Sequence, residues 1–418
     1  MTESALRPLP WDVVGHRGSL TDPPRLAQLT TLGVGGPVAR LVTPGTEAGF
    51  VDAVRGADEG ATGLLVLGGG SNLLASDDPF DGVVVRDGRR EVRIAAADPE
   101  GGVEVTATAG CGWDPFVCRT LEAGLSGLES LSGIPGTVGA APVQNVGAYG
   151  HEVAETLVAV RAWDRAEERV VTLGVDDLGL GYRTSRIKES LHREEAGRVW
   201  GPTGRWVVLG VTFRLTASTL SAPVRYAELG RHLGVSVGES ADAREVREAV
   251  VALRRSKGMV LDPEDHDTWS AGSFFTNPIL GAAEAERLLP LDAPRFPAGE
   301  GLVKSSAAWL IGHAGFPKGW AVGDPMEGGV PGDAGPALAV SAPGAVAMEG
   351  EGLVPSGGLG VTHPHRASLS TRHVLALTNR GGATSADIVE LARAVRERVR
   401  ETFGVTLVPE PVTLGVRI

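Results

Sequence analysis

The stretch "LLVLGGGSNLLASDDPFDGVVV", Leu64 to Val85, decides how the first half of the chain is built. It opens as an apolar run of strand length and breaks into Gly68, Gly69 and Gly70, then Ser71 and Asn72, before a second apolar run. Glycines let backbone N–H groups approach a ligand closely, so this loop can cradle a pyrophosphate, with Ser71 and Asn72 adding side-chain hydrogen bonds. It departs from the dinucleotide fingerprint. Leu73 stands where the third glycine belongs, and Asp77, Asp78 and Pro79 leave no room for a helix before the next strand. No Gly-Lys-Ser follows, so it is not a Walker loop. On pattern alone, a structural hairpin and a phosphate loop both stay open.

Outward from this stretch, "ARLVTP", "DGVVVRDG", "VEVTATAG", "LVAVRAWD" and "RWVVLGVTFRL" read as short strands, and "WDPFVCRTLEAG" reads as a helix stopped by Gly124. An α+β lobe is expected over residues 20–224. The remainder, 225–418, changes character. "ADAREVREAVVALRRSKG" is a helix with Asp242 and Glu245 in capping-box spacing, Val246, Val250 and Leu253 on one face, and Gly258 at its end. "TSADIVELARAVRERVRETFG" places Ile388, Leu391, Val395, Val399 and Phe403 on one face and stops at Gly404. After it, "VTLVPEPVTLGV" reads as a strand interrupted by Pro-Glu-Pro. Between the two helices, 19 of the 50 residues from Pro317 to Arg366 are Gly or Pro, without helical or strand period. That composition predicts a flexible or disordered insertion projecting from the fold.

The 418 residues, 42% of them hydrophobic, suffice for two or three domains with filled cores. No run of about 18 apolar residues occurs, and the first residues lack the order of a secretion signal, so a cytoplasmic protein is expected. Cys111 and Cys118 are too few for a disulfide framework, and neither Cys nor His pairs lie at metal-ligand spacing; no metal is expected. A formal charge of −12 argues against nucleic acid and anionic membrane as partners. An anionic ligand would need cations placed locally. Lys188, Lys257, Lys304 and Lys318 are the only lysines.

Other motifs carry chemistry of several kinds. "GLESLSGIPGTVGAAPVQNVGAYG", Gly127 to Gly150, is a long backbone-exposing segment that can lie along an extended ligand, with Gln144 and Asn145 as amide donors and acceptors. In "GLGYRTSRIK", Arg183 could grip a carboxylate with two parallel hydrogen bonds or serve only in a surface ion pair. Lys257 sits where a cation already favours the helix dipole. In "SAGSFFTNP", Ser273 is a turn residue or, if held in line with a reacting carbon, a proton donor; no G-x-S-x-G context marks it as an acyl-transfer nucleophile. Asn277 is biased to extended geometry by Pro278. Glu410 is stiffened between Pro409 and Pro411, which suits a fixed acid or an edge-strand gatekeeper equally.

Taken in order, "TTLGVGGPVARLV", "LGGGSNLL", "SGIPGTVGAAPVQNVGAYG", "GYRTSRIK", "SAGSFFTNP", "SAAWLIGHAG", "ALTNRGGATSADI" and "GVTLVPEP" closely resemble the UDP-N-acetylenolpyruvoylglucosamine reductase family. The resemblance runs from about Thr30 to Glu410, outside the Pro317 to Arg366 segment. It implies a two-subdomain FAD-binding lobe of the vanillyl-alcohol oxidase type, a separate α+β substrate-binding domain, and NADPH-dependent reduction of UDP-N-acetylglucosamine enolpyruvate to UDP-N-acetylmuramate for peptidoglycan. FAD would be bound non-covalently, NADPH would be the hydride donor, and the protein would act as a monomer on a nucleotide sugar. The family pattern assigns Gly68, Gly69, Gly70, Ser71, Asn72, Ser132, Gly133, Ile134, Pro135, Gly136, Gly139, Asn145 and Gly147 to the cofactor. It assigns Ser273 as proton donor, Arg183 and Glu410 as the pair flanking the enolpyruvyl group, and Tyr182, Tyr226, Lys257 and Asn277 to the substrate. Tyr226 within "RYAEL" implies the subtype with a tyrosine-bearing loop. Ala141 and Pro142 depart from the usual family residues beside the flavin. The alternatives are an FAD-linked oxidoreductase of the wider superfamily acting on another alcohol or sugar, and an inactive nucleotide-sugar binding protein.

Overall fold

The computed structural model describes residues 20–326 and 365–418. The chain opens with strand β1 (Val38–Val42), helix α1 (Glu47–Glu59), β2 (Gly63–Val66), β3 (Leu73–Ala75) and β4 (Phe80–Val85). β4 pairs in parallel with both β1 and β2, making a three-stranded sheet under α1. The Thr46 hydroxyl caps α1 by accepting from Gly49 N, and Phe50, Val54 and Ala57 bury its inner face. A hairpin through the three glycines is not formed. β2 pairs with β4 whereas β3 pairs elsewhere, so Gly68 to Asn72 join two different sheets.

A second sheet is antiparallel and holds β5 (Val92–Ile94), β6 (Gly102–Thr108), β7 (Leu157–Asp164), β8 (Arg169–Gly174) and β9 (Trp206–Ala217) in the order β8-β7-β9-β6-β5, with Leu125–Ser126 also paired to β9. β6 alternates strictly between buried and outward positions, the signature of a sheet with one covered face. Helix α2 (Trp113–Glu122) covers that face: Trp113, Phe116 and Phe213 form an aromatic cluster with centroids 5.3–6.0 Å apart. Gly124 takes φ +73° just past the helix, as its stop position requires.

Helices α3 (Ala227–Leu233) and α4 (Ala243–Ser256) pack through Leu229, Val246 and Val250, with Tyr149 and Tyr226 in the same cluster. Asp242 caps α4 by accepting from Arg244 N and Glu245 N, and Gly258 follows its end at φ +67°. The largest core gathers α5 (Ala307–His313) and α6 (Ser385–Phe403) with Phe274, Phe275, Leu369 and Leu377. Thr384 and Asp387 close a capping box on α6, and Gly404 ends it at φ +72°. A final strand, β10 (Val412–Leu414), runs parallel to β3 and ties the end of the chain to its beginning.

Two expectations change. The Val405 to Leu407 half of the interrupted strand is not strand, because Val405 and Leu407 point into the α6 core instead. The first residues of the segment expected to project from Pro317 do not project: Trp320 is buried with Phe316 in that same core and Ala321 is buried beside it, while residues 327–364 lie outside the described residues.

One buried ion pair joins α4 to α2. Arg247 Nη1 and Nη2 donate to Asp114 Oδ1 and Oδ2 at 2.6 and 2.9 Å, with 2% and 8% of the two side chains exposed. Removing one partner strands a buried charge. Arg247→Leu is therefore expected to lower stability by about 3–5 kcal/mol in a denaturant titration; a loss below about 1 kcal/mol would show that the pair is not structural.

Candidate active site

A cavity of about 450 Å³ opens where the two sheets, the glycine segments and the end of the chain meet. Gly68 to Asn72 line one side, and Ile134, Pro135, Gly136 and Gly139 line the opposing strip. These two strips touch backbone to backbone. A Cβ on Gly69 would lie 2.7 Å from Gly136 Cα, and one on Gly70, at φ +64°, would lie 1.9 Å from Leu29 O. Ser71 Oγ donates to Pro135 O at 3.2 Å and closes the contact. The walls beyond are apolar, from Phe50, Trp113 and Val207, with Arg86 and Arg254 as buried cations. A bare-backbone floor, flat apolar walls and internal positive charge fit the FAD that the glycine motifs imply.

Ser132 and Gly133 sit behind this strip rather than in the lining. Ser132 is fully buried and donates to Glu129 O. Gly133 is gripped from both sides: its N–H donates to Asp114 Oδ1 at 2.7 Å and its carbonyl accepts from Arg254 Nε at 3.1 Å. Asn145 is also outside the lining, at φ +46°, and its amide is spent on Glu152, Gly181 O and Ala154 N. Gly147 does line the cavity.

At the other end, Tyr182, Arg183, Ser273, Asn277 and Glu410 all reach the cavity, from three remote parts of the sequence. Arg183 adopts φ +56°, uncommon for an arginine, in a tight turn closed by reciprocal Gly181 and Thr184 hydrogen bonds. Its Nε lies 3.3 Å from Glu410 Oε1, and its Nη2 donates to Gly147 O at 2.8 Å. Lys188 Nζ donates to the carbonyls of Arg183 and Glu410 at 3.2 and 3.4 Å. Burial pushes the Glu410 carboxyl above the usual carboxylate range, with Arg183 and Lys188 opposing the rise. Burial likewise lowers Lys188. Glu410 is thus biased towards its neutral form.

Ser273 follows Gly272, which takes φ +72°. Phe274 N donates to Leu375 O, Phe275 bridges Pro409, and both rings are buried at a centroid separation of 5.2 Å. The pair of phenylalanines fixes the backbone, and Ser273 is left lining the cavity with no hydrogen bond to its hydroxyl among the described residues. Asn277 N donates to Tyr182 Oη at 3.3 Å, and Asn277 Oδ1 accepts from Ala307 N at the start of α5. Tyr226 lines the cavity and meets Tyr149 edge to face at 5.5 Å. Lys257 does not line it. Its Nζ pairs with Glu228 at 2.6 Å, near the Tyr226 ring.

Several lining residues were not anticipated. Arg254 is hydrogen-bonded to the carbonyls of Gly133 and Met259, and burial lowers its pKa. Arg86 is lowered by burial and by neighbouring Arg90. Of residues already singled out in the sequence, Gln144 lines the cavity and bridges Asn72 to Glu410, while Lys304 lies outside the lining with its Nζ 4.8 Å from the Tyr182 ring centre. A signal existed for Arg254 alone: with Arg247, seven residues earlier, it puts arginine beside the apolar face of an amphipathic helix.

Comparison with known proteins is consistent with this site. The model of an FAD binding domain matches residues 38–174, and the C-terminal domain model of UDP-N-acetylenolpyruvoylglucosamine reductase matches 352–414. The chain is 46% identical over 402 residues to the UDP-N-acetylenolpyruvoylglucosamine reductase of Thermobifida fusca, covering 94% of this chain and 97% of that protein. It is 47% identical over 412 residues to the reductase of that name from Nocardia farcinica, covering 97% and 92%. The crystal structure of the Thermus caldophilus UDP-N-acetylenolpyruvylglucosamine reductase shares the fold at a TM-score of 0.50 and 23% identity, over 93% of this chain and 97% of that one. The chain belongs to the UDP-N-acetylenolpyruvoylglucosamine reductase family.

Proposed function

We propose that this protein is an FAD-dependent reductase that uses NADPH to convert UDP-N-acetylglucosamine enolpyruvate into UDP-N-acetylmuramate, a peptidoglycan precursor. The observation that carries the reading is the meeting of Ser273, Arg183 and Glu410 on the same cavity as the Gly68 to Asn72 loop. Residues 20–224 serve as the cofactor lobe and 225–418 as the substrate domain and tail. The protein is taken to act as a monomer, and a soluble nucleotide-sugar substrate supports a cytoplasmic site of action.

The glycine strips, Ser71 and Asn72 would hold FAD, with Arg254 supplying positive charge from the cavity wall. FAD held there would supply the hydride chemistry, with NADPH as the hydride source and the terminal carbon of the enol ether as the acceptor. Negative charge then develops on the adjacent carbon and spreads into its carboxylate. Arg183 faces that charge with its guanidinium, and Glu410, biased by burial towards its neutral form, adds an O–H donor where an ionised carboxylate would repel. Ser273 delivers its proton to the carbon, and solvent restores the hydroxyl. Gly272 and the two buried rings supply the rigidity that an unactivated serine needs. Tyr182, Tyr226 and Asn277 surround the nucleotide sugar, and Lys257 reaches its diphosphate once Glu228 releases it.

The purified protein is expected to be yellow and to oxidise NADPH only with the enolpyruvyl nucleotide sugar present. A colourless protein, or turnover confined to other alcohols or sugars, would overturn the reading. In stopped flow, Ser273→Ala should leave flavin reduction nearly unchanged and slow reoxidation by substrate about 10²–10⁴-fold; equal losses in both halves would make Ser273 structural. Because the Glu410 pKa is raised, its neutral form persists above the ordinary carboxylic acid range, and kcat should fall as pH rises through that raised value. Glu410→Gln keeps a donor and should remove this alkaline limb, whereas Glu410→Ala should lower kcat about 100-fold.

A further inference from the structure

Glu410 has two carboxyl oxygens, and its surroundings treat them differently. Gln144 Nε2 donates to Oε1 at 3.3 Å, and Arg183 Nε lies 3.3 Å from that same oxygen. Among the described residues Oε2 has no partner. The direction of the Gln144 amide is itself determined. Asn72 Nδ2, which also donates to Glu410 O at 3.4 Å, donates to Gln144 Oε1 at 2.5 Å, so the opposite orientation would set two N–H donors against each other. Only the Gln144 NH₂ can then face Glu410. We infer that Gln144 is a positioning residue for the reduction: with Arg183 it makes Oε1 the carbonyl-like oxygen of Glu410 and confines the carboxyl proton to Oε2.

The chemistry of a carboxylic acid explains why this matters. Its unprotonated oxygen is the better acceptor, so the Gln144 N–H donor and the Arg183 guanidinium charge converging on Oε1 favour the form with the hydrogen on Oε2. An acid free to place its proton on either oxygen would spend part of its time presenting a lone pair to the substrate carboxylate, which repels it. Of the charged groups that act on Glu410, Arg183 stands at the same oxygen as Gln144, whereas Lys188 bonds to backbone carbonyls. Gln144 takes its own orientation from Asn72 in the glycine loop, so the acid is aligned only when that loop is in place.

This assignment rests on the role proposed for Glu410, and a double-mutant cycle separates the two. In the holoenzyme, Gln144→Leu should retain flavin, change KM by less than about threefold and lower kcat about 10–100-fold. Its alkaline limb should move to higher pH, because the ionised acid loses an N–H donor. In a Glu410→Gln background, where no proton needs placing, the same substitution should cost less than about threefold. Losses that multiply in full would overturn the inference and make Gln144 a direct contact of cofactor or substrate. Gln144→Met, of similar length, is measured alongside and read the same way if the leucine variant does not fold. If Glu410→Gln and Glu410→Ala leave kcat and its pH profile untouched, the reading of Glu410 fails and this one with it. If they change both while the Gln144 variants do not, only the present inference fails.

Discussion

The backbone clasp at the end of the chain is the constraint on which the site depends. β10 lies parallel to β3, Val412 N donates to Asn72 O at 3.0 Å, and Glu410 N donates to Phe274 O at 2.9 Å. Pro409 and Pro411 carry no N–H, so within that tripeptide only Glu410 can donate from the backbone. Its single donor selects the segment bearing Ser273. One carboxyl is thereby delivered between the glycine loop and the serine turn, and the burial that follows biases it towards its neutral form.

A second clasp works from behind the cofactor strip. Arg247 and Arg254 are seven residues apart on α4, about two turns, and so project to the same side. Arg247 anchors Asp114, which accepts from Gly133 N, while Arg254 donates to Gly133 O. Helix α4 thus grips the glycine segment through Gly133. Asp114 is paired with Arg247, whereas Arg254 donates to backbone carbonyls, which leaves positive potential at the cavity in a chain of formal charge −12. An acidic protein can bind an anionic ligand by this local excess.

Local signals survived folding well. The caps at Asp242 and Thr384, the stops at Gly124, Gly258 and Gly404, and six of the short strands lie where turn chemistry and apolar period put them, because these depend on neighbours a few residues away. Partnership was not legible. The Gly68 to Asn72 stretch looks like a hairpin until β3 finds β10, more than three hundred residues downstream. Ser132, Gly133 and Asn145 carry the small and amide side chains expected at a cofactor, yet they support the lining from behind.

Residue identity and order determined the chemistry available to this protein: a serine on a glycine turn, an arginine, a proline-braced acid and two glycine strips, in the arrangement of a known reductase family. Tertiary structure decided what each could do. Whether Glu410 is an ion or an acid depends on burial, and which of its oxygens carries the proton depends on Gln144 and Asn72. Lys257 is turned to Glu228, and Arg254 reaches the wall of the cavity. Protonation and orientation are set by neighbours brought together through space, at distances of 2.5–3.4 Å that no spacing along the chain encodes.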